Sequence, residues 1–362
     1  MTYNRYTLGE LVQIKYGKNQ KNVLSEAGTY PIYGTGGLMG YATEPLYTKP
    51  SVLIGRKGTI DKVKYVDHPF WTVDTLFYTI VNEELVLPKY LYYRMSMMDL
   101  RAYNEGTTIP SLRTETLNRL EFDIPSLEDQ RKILSFLEPI DEKIAVNNQI
   151  NNNLAEQAVS LFRRYYDQAT DEVYFTDLIQ ILGGGTPKTT CEAYWNGEIP
   201  FFTPKDVGSP YVLSTEKYIT ENGLTNCNSR LYPINTVFVT ARGTVGKISM
   251  PGIPMAMNQS CYALVGKNIP QLLVYFYTLQ TVAKLKHKAM GAVFDAITTR
   301  DFETEQVRRL DNAVANEFIG VVEPIYKQIL SLTMENQKLV ELRDAILPKL
   351  MSGDIDLSVV KT

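Results

Sequence analysis

The chain has 362 residues, of which 44% are apolar and 21% charged, and its formal net charge is −3. This length allows two domains with sizeable cores, and no apolar run approaches the roughly 20 residues of a membrane span. Three widely spaced cysteines (Cys191, Cys227 and Cys261) and two histidines argue against a metal site such as a zinc cluster. Because the N-terminus lacks an apolar leader, we expect a reduced, cytoplasmic protein.

Residues 1–125 predict a first globular part, made of short β-rich segments that Gly, Pro and Asn interrupt. The stretch "SVLIGRKGTIDKVKYV" (51–66) predicts a hairpin whose turn carries Arg56, Lys57, Thr59 and Lys62. Glycine lets a backbone approach a ligand closely, and flanking Arg, Lys and Thr suit contacts with phosphates and base edges. A solvated β-turn is the alternative interpretation for a single copy.

Residues 126–170 predict a long helix. Apolar residues recur at heptad spacing from 133 to 165, which indicates a coiled-coil seam, and Asn147 and Asn151 occupy its two middle positions. Ser126 is placed to cap the helix, and Pro139 lies inside the pattern, so we expect a kink or a restart there.

Residues 171–310 repeat the first globular part. A shift of 185 aligns "IGRKGTIDKV" (54–63) with "VTARGTVGKI" (239–248), and it places Gly106 on Gly291 and Ile109 on Phe294. The second turn carries Arg242, Thr244 and Lys247, and this recurrence favours a binding role over a solvated turn. The first strand instead matches at a shift of 167, so the second copy contains an insertion of 18 residues (185 less 167), placed between 183 and 223.

Residues 311–362 repeat the helix, with Asp311 as its cap, Pro324 inside it and a second heptad seam from 318 to 350. Asn336 aligns with Asn151. If the two helices pack antiparallel about a pseudo-two-fold axis, these two amides meet near the centre and penalise slipped registers. The alternative is that each Asn is tolerated at a position that water reaches.

The predicted fold class is therefore α+β: two mixed, β-rich globular parts in tandem, separated by two long antiparallel helices that form a coiled coil. The globular parts each have a net charge of +1, whereas the helical segments have −2 and −3. A near-neutral domain can still bind a polyanion through a local basic patch, so the overall acidity does not exclude nucleic acid.

Catalytic motifs are missing from the sequence. The stretch "GGGTPKTT" lacks the spacing of a phosphate-binding P-loop, and "DHPF" (67–70) only approximates the D/N-P-P-Y/F motif of amino-methyltransferases, with His68 in place of the first Pro. We therefore expect a protein without catalytic residues.

Several stretches resemble the specificity subunits of type I restriction–modification enzymes. They include "GTTIPSLRTETLNRLEFDIPSLEDQ", "IPSLEDQRKILSFLEPIDEKIAVNNQINNNL", "GGGTPKTTCEAYWNGEIPFFTPKDV", "ARGTVGK" and "LRDAILPKLMSGDID". The resemblance implies two target recognition domains, 1–125 and 171–310, each reading half of a bipartite site in double-stranded DNA. It further implies that the helical segments, 126–170 and 311–362, set the spacer and dock two methylation subunits, with restriction subunits added. S-adenosylmethionine and ATP would belong to those partners, with no cofactor in this chain and no membrane involved.

The resemblance also implies candidate DNA-binding residues in each half. For the first half-site they are Arg56, Lys57, Thr59, Lys62, Thr107 and Thr108. For the second they are Thr186, Lys188, Lys205, Asp206, Arg242, Thr244, Lys247, Asn258 and Gln259. Lys and Arg would mainly contact the backbone, whereas Thr, Asn, Gln and Asp are better suited to base edges.

Three alternatives stay open at this point. The chain could be a fused single-chain modification or restriction enzyme, a non-catalytic coiled-coil scaffold with two binding modules, or the specificity part of a related modification enzyme.

Overall fold

The computed structural model describes residues 2–208, 210–288 and 296–355. Gly291 and Phe294, two positions of the sequence repeat, lie outside the described residues. The chain divides into two compact units: the first joins Met1–Glu142 to Leu339–Thr362, and the second is Lys143–Lys338. Each unit therefore contains one globular part together with segments of both long helices.

Unit 1 is built from short strands and helices. In chain order they are β1 (Tyr3–Thr7), α1 (Leu8–Leu11), β2 (Val12–Tyr16), β3 (Tyr30–Gly34), β4 (Gly37–Ala42), β5 (Ser51–Gly55), β6 (Val63–Val66), β7 (Trp71–Thr72), β8 (Leu76–Val81), α2 (Pro88–Ser96), a 3-10 turn (Leu100–Tyr103), α3 (Thr114–Asn118), β9 (Glu121–Pro125) and the first part of α4 (Leu127–Gln168). The strands form a β1–β9 pair, a sheet in the order β2-β8-β5-β6 and a sheet in the order β4-β3-β7. Antiparallel pairing of β5 with β6 confirms the predicted hairpin at 51–66.

The core of unit 1 joins this sheet to the long helices. Every residue of β5 is buried, as expected for a central strand covered on both faces. Ile133 and Leu137 of α4 belong to the same buried cluster as Phe77 of β8. Leu347 and Leu350, near the end of the chain, complete that cluster.

Unit 2 begins with the rest of α4. It continues with β10 (Asp171–Tyr174), α5 (Phe175–Leu178), β11 (Ile179–Gly183), a 3-10 turn (Glu192–Tyr194), β12 (Trp195–Phe202), β13 (Tyr211–Val212), β14 (Tyr218–Ile219), α6 (Glu221–Thr225), β15 (Val237–Thr240), β16 (Ile248–Pro251), β17 (Ala256–Met257), β18 (Cys261–Gly266), α7 (Gln271–Lys288), α8 (Thr299–Glu303), β19 (Gln306–Arg309) and α9 (Asn312–Ser352). Its strands form a β10–β19 pair and two sheets, in the orders β11-β18-β15-β16-β13 and β14-β12-β17.

The two units repeat one topology. The order β11-β18-β15-β16 in unit 2 reproduces β2-β8-β5-β6 in unit 1, and the parallel pairing of β12 with β17 reproduces that of β3 with β7. Ile32 in β3 and Phe201 in β12 hold equivalent places in these parallel pairs, at an offset of 169 residues. The hairpins β5–β6 and β15–β16 match at an offset of 185 residues. Most of the insertion therefore follows Phe202, where β13, β14 and α6 lie. The expected α+β class with two β-rich parts in tandem is confirmed.

Both helix caps predicted from the sequence are present. The Ser126 hydroxyl accepts a hydrogen bond from the backbone N–H of Asp129 at 3.1 Å, just before α4 begins. The Asp311 carboxylate accepts from the N–H groups of Ala313 and Val314 at 2.9 and 3.0 Å, just before α9 begins. These bonds satisfy amides that have no partner within the helix.

The expected restart at the two prolines is wrong, because α4 runs through Pro139 and α9 through Pro324. A proline inside a helix leaves the carbonyl four residues earlier without its donor. Here those carbonyls belong to Ser135 and Gly320, which are exposed, so water can supply the missing bond.

Within unit 2, α4 and α9 run antiparallel. The Nδ2 group of Asn151 lies 3.4 Å from Thr333 Oγ1, and the Tyr165 hydroxyl donates to Glu317 at 2.8 Å, so numbers that rise along α4 meet numbers that fall along α9. The expected meeting of Asn151 with Asn336 is wrong. Asn336 instead bonds Asn147 and Asn148, one turn earlier on α4.

Candidate nucleic-acid interface

In unit 1 the predicted turn lies against a second loop. Lys57 forms a β-bridge with Ser111, and the Gly58 amide donates to the Pro110 carbonyl at 2.9 Å. The turn is thereby placed beside the segment that carries Thr107 and Thr108, both of them exposed. Lys57, Thr59 and Lys62 are exposed as well.

Arg56 is the most strongly fixed side chain of this turn. Its Nη1 group donates to the Asp74 carbonyl at 2.9 Å, and its guanidinium carbon lies 5.0 Å from the centre of the Tyr16 ring. Tyr16 itself is 52% exposed. A planar cation held over an exposed ring is suited to contact a phosphate or a guanine edge.

The backbone of both turns requires glycine at one position. Gly58 has a φ of +86° and its equivalent Gly243, 185 residues later, has a φ of +82°. Side chains other than glycine adopt this region at a cost of roughly 1–2 kcal/mol. The sequence therefore specifies the same turn in both units.

In unit 2 two further loops contact the second turn, and a third loop contacts one of these two. The Thr186 hydroxyl donates to the side-chain oxygen of Gln259, and the Thr244 hydroxyl donates to the Pro204 carbonyl at 3.2 Å. The Arg242 amide lies 3.3 Å from the Ser260 carbonyl. Arg242, Thr244 and Lys247 are exposed, so these loops form one surface.

Some predicted base-edge residues are engaged in local structure. Asp206 accepts from the amide and hydroxyl of Thr203, each at 2.7 Å, and from the amide of Glu216 at 2.8 Å. Asn258 accepts from the Ser260 amide at 3.0 Å. These bonds shape the loops, which argues against a base contact by Asp206.

The two remaining lysines have exposed side chains. The Lys205 ammonium lies 3.5 Å from Glu216, whereas Lys188 contributes its backbone carbonyl to the Trp195 indole at 3.3 Å. Among the described residues, Lys57, Lys62, Arg242 and Lys247 form no ion pair within 4 Å. Both units thus present unneutralised cations at equivalent turns.

Sequence reasoning missed several exposed residues beside the first turn. Leu38 and Met39, 54% and 55% exposed, lie in β4, and Asp74 supplies the carbonyl that holds Arg56. Tyr33, in the neighbouring strand β3, is instead buried against Lys64 and bonded to His68.

Two further properties of the described residues bear on chemistry. No cluster of three or more His, Cys, Asp or Glu side chains able to hold a metal occurs in the described ranges. Burial raises the pKa of the Cys261 thiol to about 12, with a smaller contribution from Asp206, so this thiol is not an activated nucleophile.

No helix in the part of the chain that the structure describes is long and apolar enough to cross a membrane.

A family profile described as type I restriction modification DNA specificity domain matches residues 2–156 and again residues 170–308. The chain belongs to this family. The two matches each begin at or near the start of a globular part, so the chain carries two specificity domains in tandem.

Curated relatives of the family are similar to the chain over most of its length. The type I restriction enzyme HindI specificity subunit of Haemophilus influenzae is 21% identical, with 79% of this chain and 81% of that protein covered. The MjaIX specificity subunit of Methanocaldococcus jannaschii is also 21% identical, with 86% and 78% covered.

A solved structure supports the fold. The type I restriction–modification system S subunit from M. genitalium matches with a TM-score of 0.53 at 17% identity, covering 97% of this chain and 96% of that one. The chain is thus a specificity subunit of the type I restriction–modification family with two recognition domains.

Proposed function

We propose that the chain supplies DNA sequence specificity to a type I restriction–modification complex, with each recognition domain reading one half of a bipartite site. The observation that carries this proposal is the duplicated turn. Residues 56–62 and 242–247 occupy equivalent places, expose cations and lie against other loops that carry polar side chains. Two copies of one reading surface suit a target with two halves.

We further propose that α4 and α9 form an antiparallel coiled coil that sets the unread spacer and docks two methylation subunits. The hydrogen bonds from Asn147 and Asn151 to α9 support the pairing of the helices in unit 2. The bond from Arg343 to Asp141 supports it in unit 1. The apolar heptad seam of each helix is the pattern that such pairing needs.

In this proposal the chain itself is non-catalytic and binds no cofactor. S-adenosylmethionine would belong to the methylation subunits and ATP to the restriction subunits, all in the cytoplasm. The relatives are named as specificity subunits of restriction enzymes, which supports this division of labour.

The test is co-expression of the full-length chain with the methylation subunit of its own locus, followed by genome-wide mapping of methylated adenines. We expect one gapped motif that appears only when this chain is present. Methylation without this chain, or methylation that never falls in a gapped motif, would refute the proposal and favour a scaffold role.

A domain exchange supplies the matched control. Replacing residues 171–310 by the equivalent domain of a relative should change one half of the motif and leave the other half and the spacer as they were. A change in both halves would contradict the assignment of one half-site to each domain.

A further inference from the structure

The repeat allows one position to be compared between the two recognition domains. In unit 1, the Arg101 guanidinium lies 2.5 Å from the Asp61 carboxylate. Asp61 belongs to the loop between β5 and β6, and Arg101 belongs to the 3-10 turn that follows α2. The side chain of Asp61 is only 22% exposed, so its charge is neutralised where the loop meets the turn.

The equivalent position in unit 2 carries no acidic side chain. At the offset of 185, Gly246 stands in place of Asp61, and Lys286 of α7 stands in place of Arg101. A Cβ atom added to Gly246 would lie 2.5 Å from Cε of Lys286 and 3.3 Å from its ammonium. The lysine therefore lies directly against the loop, as Arg101 does in unit 1.

Lys247 adds a second cation to this place. It follows Gly246 directly and is equivalent to Lys62. Burial lowers the pKa of Lys286, and the neighbouring positive charge of Lys247 lowers it further. Neither forms an ion pair within 4 Å with an acidic residue of the described ranges.

The loop that carries Lys247 is held in shape. The Lys247 amide donates to the Thr240 hydroxyl at 3.0 Å, and the Gly246 amide donates to the Thr240 carbonyl at 2.8 Å. Two neighbouring ammonium groups that have no acidic partner among the described residues repel each other, and an anion that bridges them relieves the repulsion.

We infer that Lys247 and Lys286 form a two-ammonium site for one backbone phosphate of the DNA bound by the second recognition domain. The first domain has closed the equivalent site with the Asp61–Arg101 ion pair. This inference rests on the proposed function, and it makes Lys286 a backbone-contacting residue that fixes the second domain on its half-site.

The test is the salt dependence of DNA binding by the full-length chain, co-expressed with its methylation subunit. The probe is a duplex carrying the gapped motif that methylation mapping returns. Loss of one phosphate contact makes the negative slope of log K against log salt concentration less steep by about 0.9. We expect this decrease for Lys286→Gln, with affinity reduced several-fold at low salt, and we expect Lys286→Arg to restore both.

Lys267→Gln is the matched control, since it removes the same charge from the same unit. Cys261, at the start of β18, pairs with Thr240 beside the loop. Lys267 follows the other end of β18 and so lies away from the loop. The converse variant, Asp61→Asn, frees Arg101 in the first domain and should make the slope steeper. Equal slopes for Lys286→Gln and Lys267→Gln would overturn the inference.

The outcomes also separate the inference from the function on which it rests. If the unchanged complex binds DNA and methylates a gapped motif while Lys286→Gln matches the control, only the two-ammonium site is wrong. If the unchanged complex neither binds DNA in a salt-dependent way nor methylates a gapped motif, both are wrong.

Discussion

The side-chain amide of Asn147 donates to the side-chain oxygen of Asn336 at 2.8 Å, joining the two long helices inside unit 2. It also donates to Glu335 at 2.9 Å, while its own oxygen is buried without a partner. Asn336 in turn donates to Asn148 at 2.9 Å. Together with Asn151 and Thr333, this polar group interrupts the apolar seam and so favours a single register.

Replacing Asn336 by Leu should destabilise unit 2, because the fully buried Asn147 then loses an acceptor. An unsatisfied buried polar group costs about 1–3 kcal/mol of unfolding free energy. Urea denaturation measures the loss. Asn152→Ala, at an exposed position of α4, serves as the control and should change stability by less than about 0.5 kcal/mol. Equal effects of the two variants would contradict a role for the pair.

In unit 1, Asp141→Ala should be more harmful than Asp344→Ala. Asp141 accepts from Tyr93 at 2.5 Å and from Arg343 at 3.0 Å, and its side chain is only 23% exposed. Losing bonds to a charged partner costs about 1.5–3 kcal/mol. Asp344 also pairs with Arg343 but is 58% exposed, so its loss should cost about 0–1 kcal/mol. Thermal unfolding of both variants decides, and a larger effect of Asp344→Ala would refute the ranking.

Cys261 should resist alkylation in the folded chain. Burial raises its pKa to about 12, so the folded state holds this proton more tightly than the unfolded chain does. The resulting stabilisation is complete below the unfolded pKa of about 8.5 and is lost as the pH rises toward 12. At pH 8, iodoacetamide should label the partly exposed Cys191 and Cys227 first, and Cys261 only after urea is added. Mass spectrometry reads the order, and early labelling of Cys261 would contradict its burial.

Arg56→Ala should weaken DNA binding and relax specificity in the first half-site alone. A side chain that contacts a base edge contributes about 1–3 kcal/mol of discrimination. Fluorescence anisotropy with duplexes altered one base pair at a time in each half-site measures the effect. Arg5→Ala is the control, because Arg5 is exposed and paired with Asp123. Relaxed discrimination in the second half-site instead would show that the domain containing Arg56 does not read the first half-site.

Local features of the fold were predictable from the sequence. Ser126 and Asp311 act as caps because capping depends only on the next few residues. The turns at Gly58 and Gly243 were recognisable for the same reason, and the binding role that their duplication favours stays a prediction.

Features set by distant contacts were not predictable. The partner of Asn336 depends on the stagger of two helices, which is fixed by packing far from either residue. The Asp206 carboxylate accepts from the amide of Glu216, which lies beyond its own turn, and the base contact expected of Asp206 stays a prediction. The contrast between Asp61 and Gly246 became meaningful only when Arg101 and Lys286 were placed beside them.

The sharing of the unit 1 core between the two ends of the chain has a consequence for folding during synthesis. Leu347, Leu350 and Met351 pack in the same cluster as Leu8 and Leu11, so that cluster stays incomplete until residues 347–351 have left the ribosome. Unit 2 is one continuous stretch of the sequence, Lys143–Lys338. Although domains near an N-terminus usually fold first, here the part that is made later can finish first. The apolar surface of unit 1 therefore stays open to aggregation until the end of α9 has been made and can cover it.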